Sequence, residues 1–261
     1  MDESPPLKPR RIILHLIGGP YVTIDDRPLV LPEGSMRLLV FVSIQGPSNR
    51  RHIAATLWPD VNASRAAGNL RSALWRLRPA GVELVASTTR TISLAADVLV
   101  DVAQLDHWSD RVLNGRATVD DLLTGLPVDT FDLLPEWDDD WVVAERTRLR
   151  QRALHALEAA GRDLLSLGRH ADALTSVLCA VRADPLRESA RRLLIEVHLA
   201  EGNRTDAQQV YASYRATLRR ELGMEPSRQL AAITFSELAM SGAQPTPPTA
   251  RPTGISRPGR R

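Results

Sequence analysis

The sequence has almost no lysine and almost no cysteine. Lys8 is the only lysine among 33 basic residues, so a Gly-Lys-Ser/Thr phosphate loop of the P-loop type is excluded. Cys179 is the only cysteine, which excludes a disulfide framework. No apolar run approaches the roughly 18 residues that span a bilayer. The acidic start and short apolar patch of the amino terminus make a poor signal peptide. We therefore expect a cytoplasmic protein.

Side chains that carry catalysis or bind metals are scattered. The six histidines include no His-Glu-x-x-His spacing, and Cys179 lies in an apolar helical run, where packing explains it better than nucleophilic catalysis. Asp138, Asp139 and Asp140 are adjacent, and neighbouring side chains on a helix do not converge on one ion. Acidic residues in a row instead favour the start of a helix. We predict no catalytic site, no cofactor and no metal site.

Charge is distributed unevenly along the chain, although the formal net charge is only +2. Residues 12–97 carry nine arginines against six acidic residues, whereas residues 98–160 carry six against thirteen. A basic segment followed by an acidic one predicts two domains with different partners. The arginine excess is also explained by a genomic coding bias, but guanidinium groups are well suited to bidentate contacts with phosphate and guanine.

The first hundred residues have the pattern of short strands, three helices and a hairpin. Residues 11–19 and 21–31 have strand composition, and Asp25-Asp26 fits a tight turn. The predicted helices cover residues 34–46, 50–58 and 63–78. Ser48 or Asn49 can cap the second helix and Asn62 the third. Residues 82–87 and 91–95 form a predicted hairpin. This order is typical of a winged helix-turn-helix, whose later helix enters the DNA major groove.

The third helix is amphipathic when it is drawn at about 100° per residue. Its predicted buried stripe consists of Ala67, Leu70, Ala73, Leu74 and Leu77. Its opposite face consists of Arg65, Asn69, Ser72 and Arg76, which can contact phosphates or purine edges. The flanking Arg71 and Arg78 fit either contacts with the DNA backbone or intramolecular ion pairs. Any surface helix has a polar face, so the indication of DNA binding comes from the position of this helix between the other helices and the hairpin.

The second half of the chain contains a repeat with a period of 34 residues. The matching pairs are Leu165/Leu199, Gly168/Gly202, Asp172/Asp206 and Ala173/Ala207. This period is typical of tetratricopeptide helix–turn–helix units, and the small residues would let paired helices approach closely. We therefore predict an all-α domain that binds a protein. The tail, residues 241–261, is rich in proline, threonine, glycine and arginine, and we expect it to be disordered.

The presence of five tryptophans suggests the hypothesis that some of them stack on the bases of a nucleic acid. We expect Trp58, Trp75, Trp108, Trp137 and Trp141 to belong to the core or to domain interfaces, because they lie at predicted helix ends and domain junctions. Trp108 and the acidic segment 101–145 are the predicted connection between the two domains.

Several stretches together resemble the antibiotic-regulatory-protein (SARP) group of bacterial transcriptional activators. The first part resembles an OmpR-type winged helix in "MRLLVFVSIQG", "RRHIAATLWPD", "SRAAGNLRSALWRLR" and "RTISLAADVLVDVAQL". The rest resembles the bacterial transcriptional activator domain in "LLPEWDDDWVVAERTRLRQRALHALE", "ADPLRESARRLLIEVHLAEGN" and "AQQVYASYRATLRRELGMEPSRQL". The likeness covers about residues 12–240 and implies an α+β winged helix over 12–100 and a tetratricopeptide-like all-α domain over 101–240. We expect neither the nucleotide-binding domain of larger members nor a receiver domain.

The resemblance implies DNA binding upstream of promoters, often as dimers on direct repeats, with recruitment of RNA polymerase. By position, Asn69, Ser72 and Arg76 would face the groove and Arg65 its edge. The remaining expected DNA contacts are Arg50, Arg51, Thr88, Thr89 and Arg90, at the start of the second helix and the tip of the wing. The alternative is a tetratricopeptide-like adaptor with a degenerate winged helix, which the modest charge of the first domain leaves open.

Overall fold

The structure is a computed structural model that describes residues 10–78, 81–125 and 132–241, with side chains described as far as residue 235. Its contacts divide the chain into two compact units, residues 1–193 and 194–261. The tail predicted to be disordered lies outside the described residues from position 242 onward. Within the described ranges, no helix combines the length and the apolar character needed to cross a bilayer.

The amino-terminal part contains two small sheets and three helices. Its elements in chain order are β1 (Ile12–His15), β2 (Tyr21–Ile24), β3 (Arg27–Leu29), α1 (Glu33–Gln45), β4 (Ser48–Asn49), α2 (Arg50–Leu57), α3 (Ala63–Leu77), β5 (Val85–Ser87), β6 (Thr91–Leu94) and β7 (Val98–Val100). The predicted strands, helices and hairpin are therefore confirmed. The short strand β7 was not predicted, because it is defined by its pairing with β1, more than eighty residues earlier in the chain.

The first sheet has the strand order β3-β2-β1-β7. Strands β1 and β2 are antiparallel, with Ile12 opposite Ile24, and β7 adds to β1 in parallel. Asp25 and Asp26 both have positive φ, 50° and 63°, which is the backbone of a type I′ turn. The tight turn predicted at this pair is confirmed.

The second sheet, β4-β6-β5, carries the hairpin. Val85 lies opposite Leu94, and Ser48 of β4 lies opposite Ile92 of β6. Helix α1 packs against α2, α3 and β6, and its residues from Leu38 to Val42 are all buried. This packing is the core of a winged helix-turn-helix.

The buried seam of α3 differs in part from the predicted stripe. Ala66, Leu70, Ala73 and Leu77 are buried, spaced as one face of a helix. Ala67 and Leu74 are only half-buried, so the prediction was wrong for these two positions. Leu74 faces a cleft that Val85 of the hairpin also lines, which a helical wheel drawn without the hairpin does not reveal.

The remainder of the chain is helical. Its elements are α4 (Asp101–Leu113), α5 (Val119–Thr124), α6 (Asp140–Ser166), α7 (His170–Ala183), α8 (Glu188–Ala200), α9 (Arg204–Leu222) and α10 (Arg228–Ser241). In the first unit α4 packs against α6, and α6 packs against α7. In the second unit α9 packs against α10.

The 34-residue period reappears in the backbone of two turns. Gly168 and Gly202 have positive φ, 72° and 80°, and each follows the end of a helix. After Gly168, the Arg169 N–H donates to Leu164 O at 2.9 Å, and after Gly202, the Asn203 N–H donates to His198 O at 2.8 Å. These are equivalent hydrogen bonds of a Schellman ending. Both glycines therefore set the turn conformation.

Candidate nucleic-acid interface

Two asparagines begin the helices of the helix-turn-helix. The Asn49 side chain accepts from the Arg51 N–H at 2.9 Å, and the Asn62 side chain accepts from the Arg65 N–H at 3.0 Å. These bonds satisfy N–H groups that have no partner inside the helix. The predicted caps are thus confirmed, with Asn49 rather than Ser48 capping α2, and the caps fix where the outward side chains of α3 start.

The side of α3 opposite its buried seam carries the predicted polar residues. Arg65, Ser72 and Arg76 are exposed and Asn69 is half-buried. Trp75 also lies on this side and is 66% exposed. Arg71 and Arg78 are exposed as well, and Arg71 lies one helical turn before Trp75. The outward face therefore includes Trp75 and Arg71 beside the predicted polar residues.

The hairpin ends in a turn that its own hydroxyl groups stabilise. Thr88 Oγ1 accepts from the Arg90 N–H at 3.2 Å and from the Thr91 N–H at 3.0 Å. Thr88, Thr89 and Arg90 are exposed at this tip. The backbone N–H of Arg50 donates to Arg90 O at 3.0 Å. The tip is therefore attached to the first residue of α2.

Arg50 holds the hairpin with its side chain as well. Its Nε donates to Thr88 O at 2.9 Å, and its Nη2 donates to Ser87 Oγ. Arg51 is exposed and lines a shallow depression together with His52 and Arg90. Of the two neighbouring arginines, Arg51 is thus open to solvent, whereas Arg50 positions the wing.

A cleft separates the carboxyl-terminal half of α3 from strand β5. Its lining includes four arginines, Arg50, Arg71, Arg76 and Arg78, and one acidic residue, Glu83. Trp75 lies at this cleft together with the half-buried Leu74 and Val85. The cleft therefore combines a positive rim with an apolar wall.

The other tryptophans lie in or near the protein interior. Trp108 is buried and donates through Nε1 to Asp121 O at 2.9 Å. Trp58 is half-buried beside Gly34 of α1. Trp137 and Trp141 are half-buried and meet edge to face, with ring centroids 6.4 Å apart. The expectation of core or interface positions is confirmed for these four and is wrong for Trp75.

The start of α6 packs against α1. The Trp141 ring meets Phe41 edge to face at a centroid distance of 5.3 Å. Arg37 donates to Asp139 at 2.7 Å, and its guanidinium lies 5.2 Å from the Trp137 ring centroid. Asp139 therefore forms an ion pair with Arg37 that joins the start of α6 to α1. In the part of the chain that the structure describes, no group of three or more metal-ligating side chains occurs.

Asp101, at the start of α4, reaches back to the end of β1. Its carboxylate accepts from the backbone N–H groups of Leu16 and Ile17, both at 3.0 Å, and of Val102 at 2.7 Å. Burial raises the pKa of Asp101, and these three backbone hydrogen bonds act in the opposite direction. The residue ties the first sheet to the helices that follow.

Known proteins resemble this chain over both parts. The family model of the bacterial transcriptional activator domain matches residues 103–235. The regulatory protein AfsR of Streptomyces griseus is 34% identical over 109 residues, which cover 40% of this chain and 11% of that protein. The regulatory protein AfsR of Streptomyces coelicolor is 27% identical over 288 residues, which cover 91% of this chain and 29% of that protein. The chain thus spans less than a third of either relative.

A solved structure has the same fold. Mycobacterium tuberculosis EmbR, in complex with a low-affinity phosphopeptide, matches with a TM-score of 0.68 and 21% sequence identity. The match covers 88% of this chain and 66% of that chain. The similarity extends over the strand-rich amino-terminal part and the helical part together.

Proposed function

Because this chain belongs to the bacterial transcriptional activator domain family of SARP-type regulators, we propose that it regulates transcription by binding duplex DNA. Helix α3 enters the major groove, and the β5–β6 hairpin lies beside it as the wing. Residues 12–100 form the DNA-binding domain and residues 101–240 the activator domain, which recruits RNA polymerase. The polymerase contact and binding as a homodimer are carried over from the family.

The unpaired arginines of the winged helix carry this proposal. Between residues 50 and 94, from the start of α2 to the end of the β5–β6 hairpin, six exposed guanidinium groups have no hydrogen-bond or ion-pair partner among the residues that the structure describes. They belong to Arg51, Arg65, Arg71, Arg76, Arg78 and Arg90. Because a protein uses such groups to replace counterions on DNA phosphates, this surface is chemically suited to a duplex.

In the helical part, by contrast, many arginines are bound to acidic side chains. Ten of them form ion pairs with acidic side chains, namely Arg111, Arg116, Arg148, Arg152, Arg162, Arg169, Arg187, Arg215, Arg219 and Arg220. A coding bias toward arginine would affect both parts equally. The contrast in pairing therefore supports a specific role for the positive surface of the first part.

The proposed contacts differ in what they contribute. Asn69, Ser72 and Arg76 read base edges, because amide, hydroxyl and guanidinium groups match the donors and acceptors of the major groove. Arg51, Arg65 and Arg71 bind phosphates. Thr89 and Arg90 contact the backbone beside the wing, with Thr88 and Arg50 holding the wing in place. Both kinds of contact are needed, since phosphate contacts position the helix and base contacts select the sequence.

The test is DNA binding by the full chain. A duplex is selected from a random pool with the wild-type protein, and its affinity is then measured at several salt concentrations. We expect Arg76→Ala to weaken binding about tenfold or more. Arg71→Ala should lower the slope of log affinity against log salt by about 0.9, because one phosphate contact is lost. Arg169→Ala, which removes an ion-paired arginine of the helical part, serves as the matched control.

The full chain is the right material for this test. A fragment ending at residue 100 would lose Asp101, which binds the N–H groups of Leu16 and Ile17. It would also uncover Phe41, which is 1% exposed and packs against Trp141. If the wild-type chain selects no sequence and binds duplexes without salt dependence, the DNA-binding proposal is wrong and the adaptor hypothesis replaces it. Recruitment is tested separately, by transcription with purified RNA polymerase from a promoter that carries the selected duplex.

A further inference from the structure

Trp75 is an apolar side chain at a cleft that four arginines line. All five tryptophans lie in the described ranges, and Trp75 is the only one of them that is exposed. Its side chain is 66% exposed, although an indole is among the side chains that gain most from leaving water. Single exposed apolar residues are common on protein surfaces, but Trp75 lines a cleft together with Leu74, Val85 and four arginines, and this combination points to a binding partner.

The neighbours of Trp75 define the chemistry of that partner. Arg71 precedes it by one turn and Arg78 follows it by about one turn, both exposed and unpaired among the described residues. Ser72 is exposed on the same face. Gly68, two turns earlier, has no side chain, and an added Cβ would meet only the Arg71 guanidinium at 3.8 Å. The surface around the indole is thus open along the helix and positively charged.

We infer that Trp75 is a specificity-determining residue that packs against the 5-methyl group of a thymine in the major groove. The inference rests on the proposed function. The major groove offers donors, acceptors and one apolar group, the thymine methyl. An indole has one N–H donor, which guanine, adenine and thymine can all accept in the major groove, so its selectivity there comes from the contact of its apolar ring with this methyl group.

Charge decides between DNA and a protein as the occupant. Four arginines line the cleft beside Trp75 and only Glu83 opposes them. An apolar protein surface placed here would bury several positive charges without partners, which is costly. A duplex supplies phosphates to the arginines and a methyl group to the indole at the same time.

The experiment combines a protein variant with a DNA variant. The probe is the duplex that the wild-type chain selects from a random pool. Each thymine is replaced in turn by deoxyuridine, which removes only the 5-methyl group. We expect one replacement to weaken wild-type binding about fourfold, as for one buried methyl-sized group. In Trp75→Ala the same replacement should change affinity less than about twofold, since the partner of the methyl is gone.

The salt dependence separates an apolar contact from an electrostatic one. Trp75→Ala should weaken binding about tenfold, with an unchanged slope of log affinity against log salt, because no counterion is released by this contact. Trp75→Phe should retain part of the affinity. The matched control is Tyr21→Ala, which removes another exposed aromatic side chain, 46% exposed, from β2 in the other sheet. Unchanged thermal denaturation of Trp75→Ala establishes that the variant is folded.

The outcomes distinguish this inference from the proposed function. If the wild-type chain selects a sequence but Trp75→Ala binds it with unchanged affinity, the inference is wrong and the DNA-binding function stands. If Trp75→Ala binds weakly but no deoxyuridine replacement affects the wild type, the thymine contact is wrong and the indole packs against the sugar–phosphate backbone. If the wild-type chain selects no duplex, both proposals fail.

Discussion

At the scale of single residues, the glycines of the helical part have two different roles, one in turns and one inside a helix. Gly168 and Gly202 have positive φ, and an added Cβ would meet nothing within 4 Å. They are needed for backbone conformation, and the predicted role in close helix packing is wrong for them. Gly161, near the carboxyl-terminal end of α6, has no such conformation. Its Cβ would lie 2.6 Å from Val177 of α7 and 3.2 Å from Leu193 of α8, so close packing of the helices needs a glycine here.

Replacing Gly161 with alanine should destabilise the protein by about 1–3 kcal/mol, because the new methyl group overlaps Val177. The measurement is the free energy of unfolding in urea. Val177→Ala provides the internal control, since it makes room at the same contact. The double variant should lose less stability than the sum of the two single variants. Additive losses would show that the two residues do not compete for the same space.

At the scale of elements, the short helix α5 depends on one carboxylate. Thr118 Oγ1 accepts from the Asp121 N–H at 3.1 Å, and Asp121 accepts in return from the Thr118 N–H at 2.9 Å. Arg111 of α4 donates to the same carboxylate at 2.7 Å. These contacts lower the pKa of Asp121 from 3.8 to about 2, with the Arg111 hydrogen bond as the largest cause and Thr118 next. A six-residue helix has little stability of its own, so the cap and the ion pair decide whether it forms.

The lowered pKa of Asp121 predicts a loss of stability in acid. Because the folded pKa lies below the ordinary value, the stabilisation is complete above about pH 5 and is lost as the pH falls through about 2. Asp121→Asn should lower the melting temperature near neutral pH, and its difference from wild type should shrink toward pH 2. The neighbouring, exposed Asp120→Asn is the matched control. Parallel curves of melting temperature against pH for wild type and Asp121→Asn would contradict this role.

At the scale of the whole molecule, the winged helix does not stand apart from the residues that follow it. Asp101 binds the N–H groups at the end of β1, and the start of α6 brings Asp139 to Arg37 and Trp141 to Phe41. All these contacts lie within the first compact unit, residues 1–193. The predicted boundary between residues 100 and 101 therefore lies inside one packed unit, and it stays a prediction.

Asp101→Ala should lower the free energy of unfolding by about 2–4 kcal/mol, because the N–H groups of Leu16 and Ile17, which form half-buried hydrogen bonds with this carboxylate, would lose their acceptor. Urea denaturation of the full chain measures this loss. Asp97→Ala, in the exposed loop before β7, removes a carboxylate without removing such an acceptor. If both variants lose the same small amount of stability, the carboxylate of Asp101 does not join the two parts.

The sequence by itself determined the local structure. Asn49 and Asn62 predicted the helix starts, Asp25-Asp26 predicted the turn, and the 34-residue period predicted a repeated helix–turn–helix in which Gly168 and Gly202 are equivalent, because these features depend on neighbouring residues and on backbone preference. The outward position of Arg65, Ser72 and Arg76 also followed from helical periodicity alone. Tertiary structure decided the rest, since β7, the contact of Asp101 and the half-buried position of Leu74 depend on residues distant in sequence.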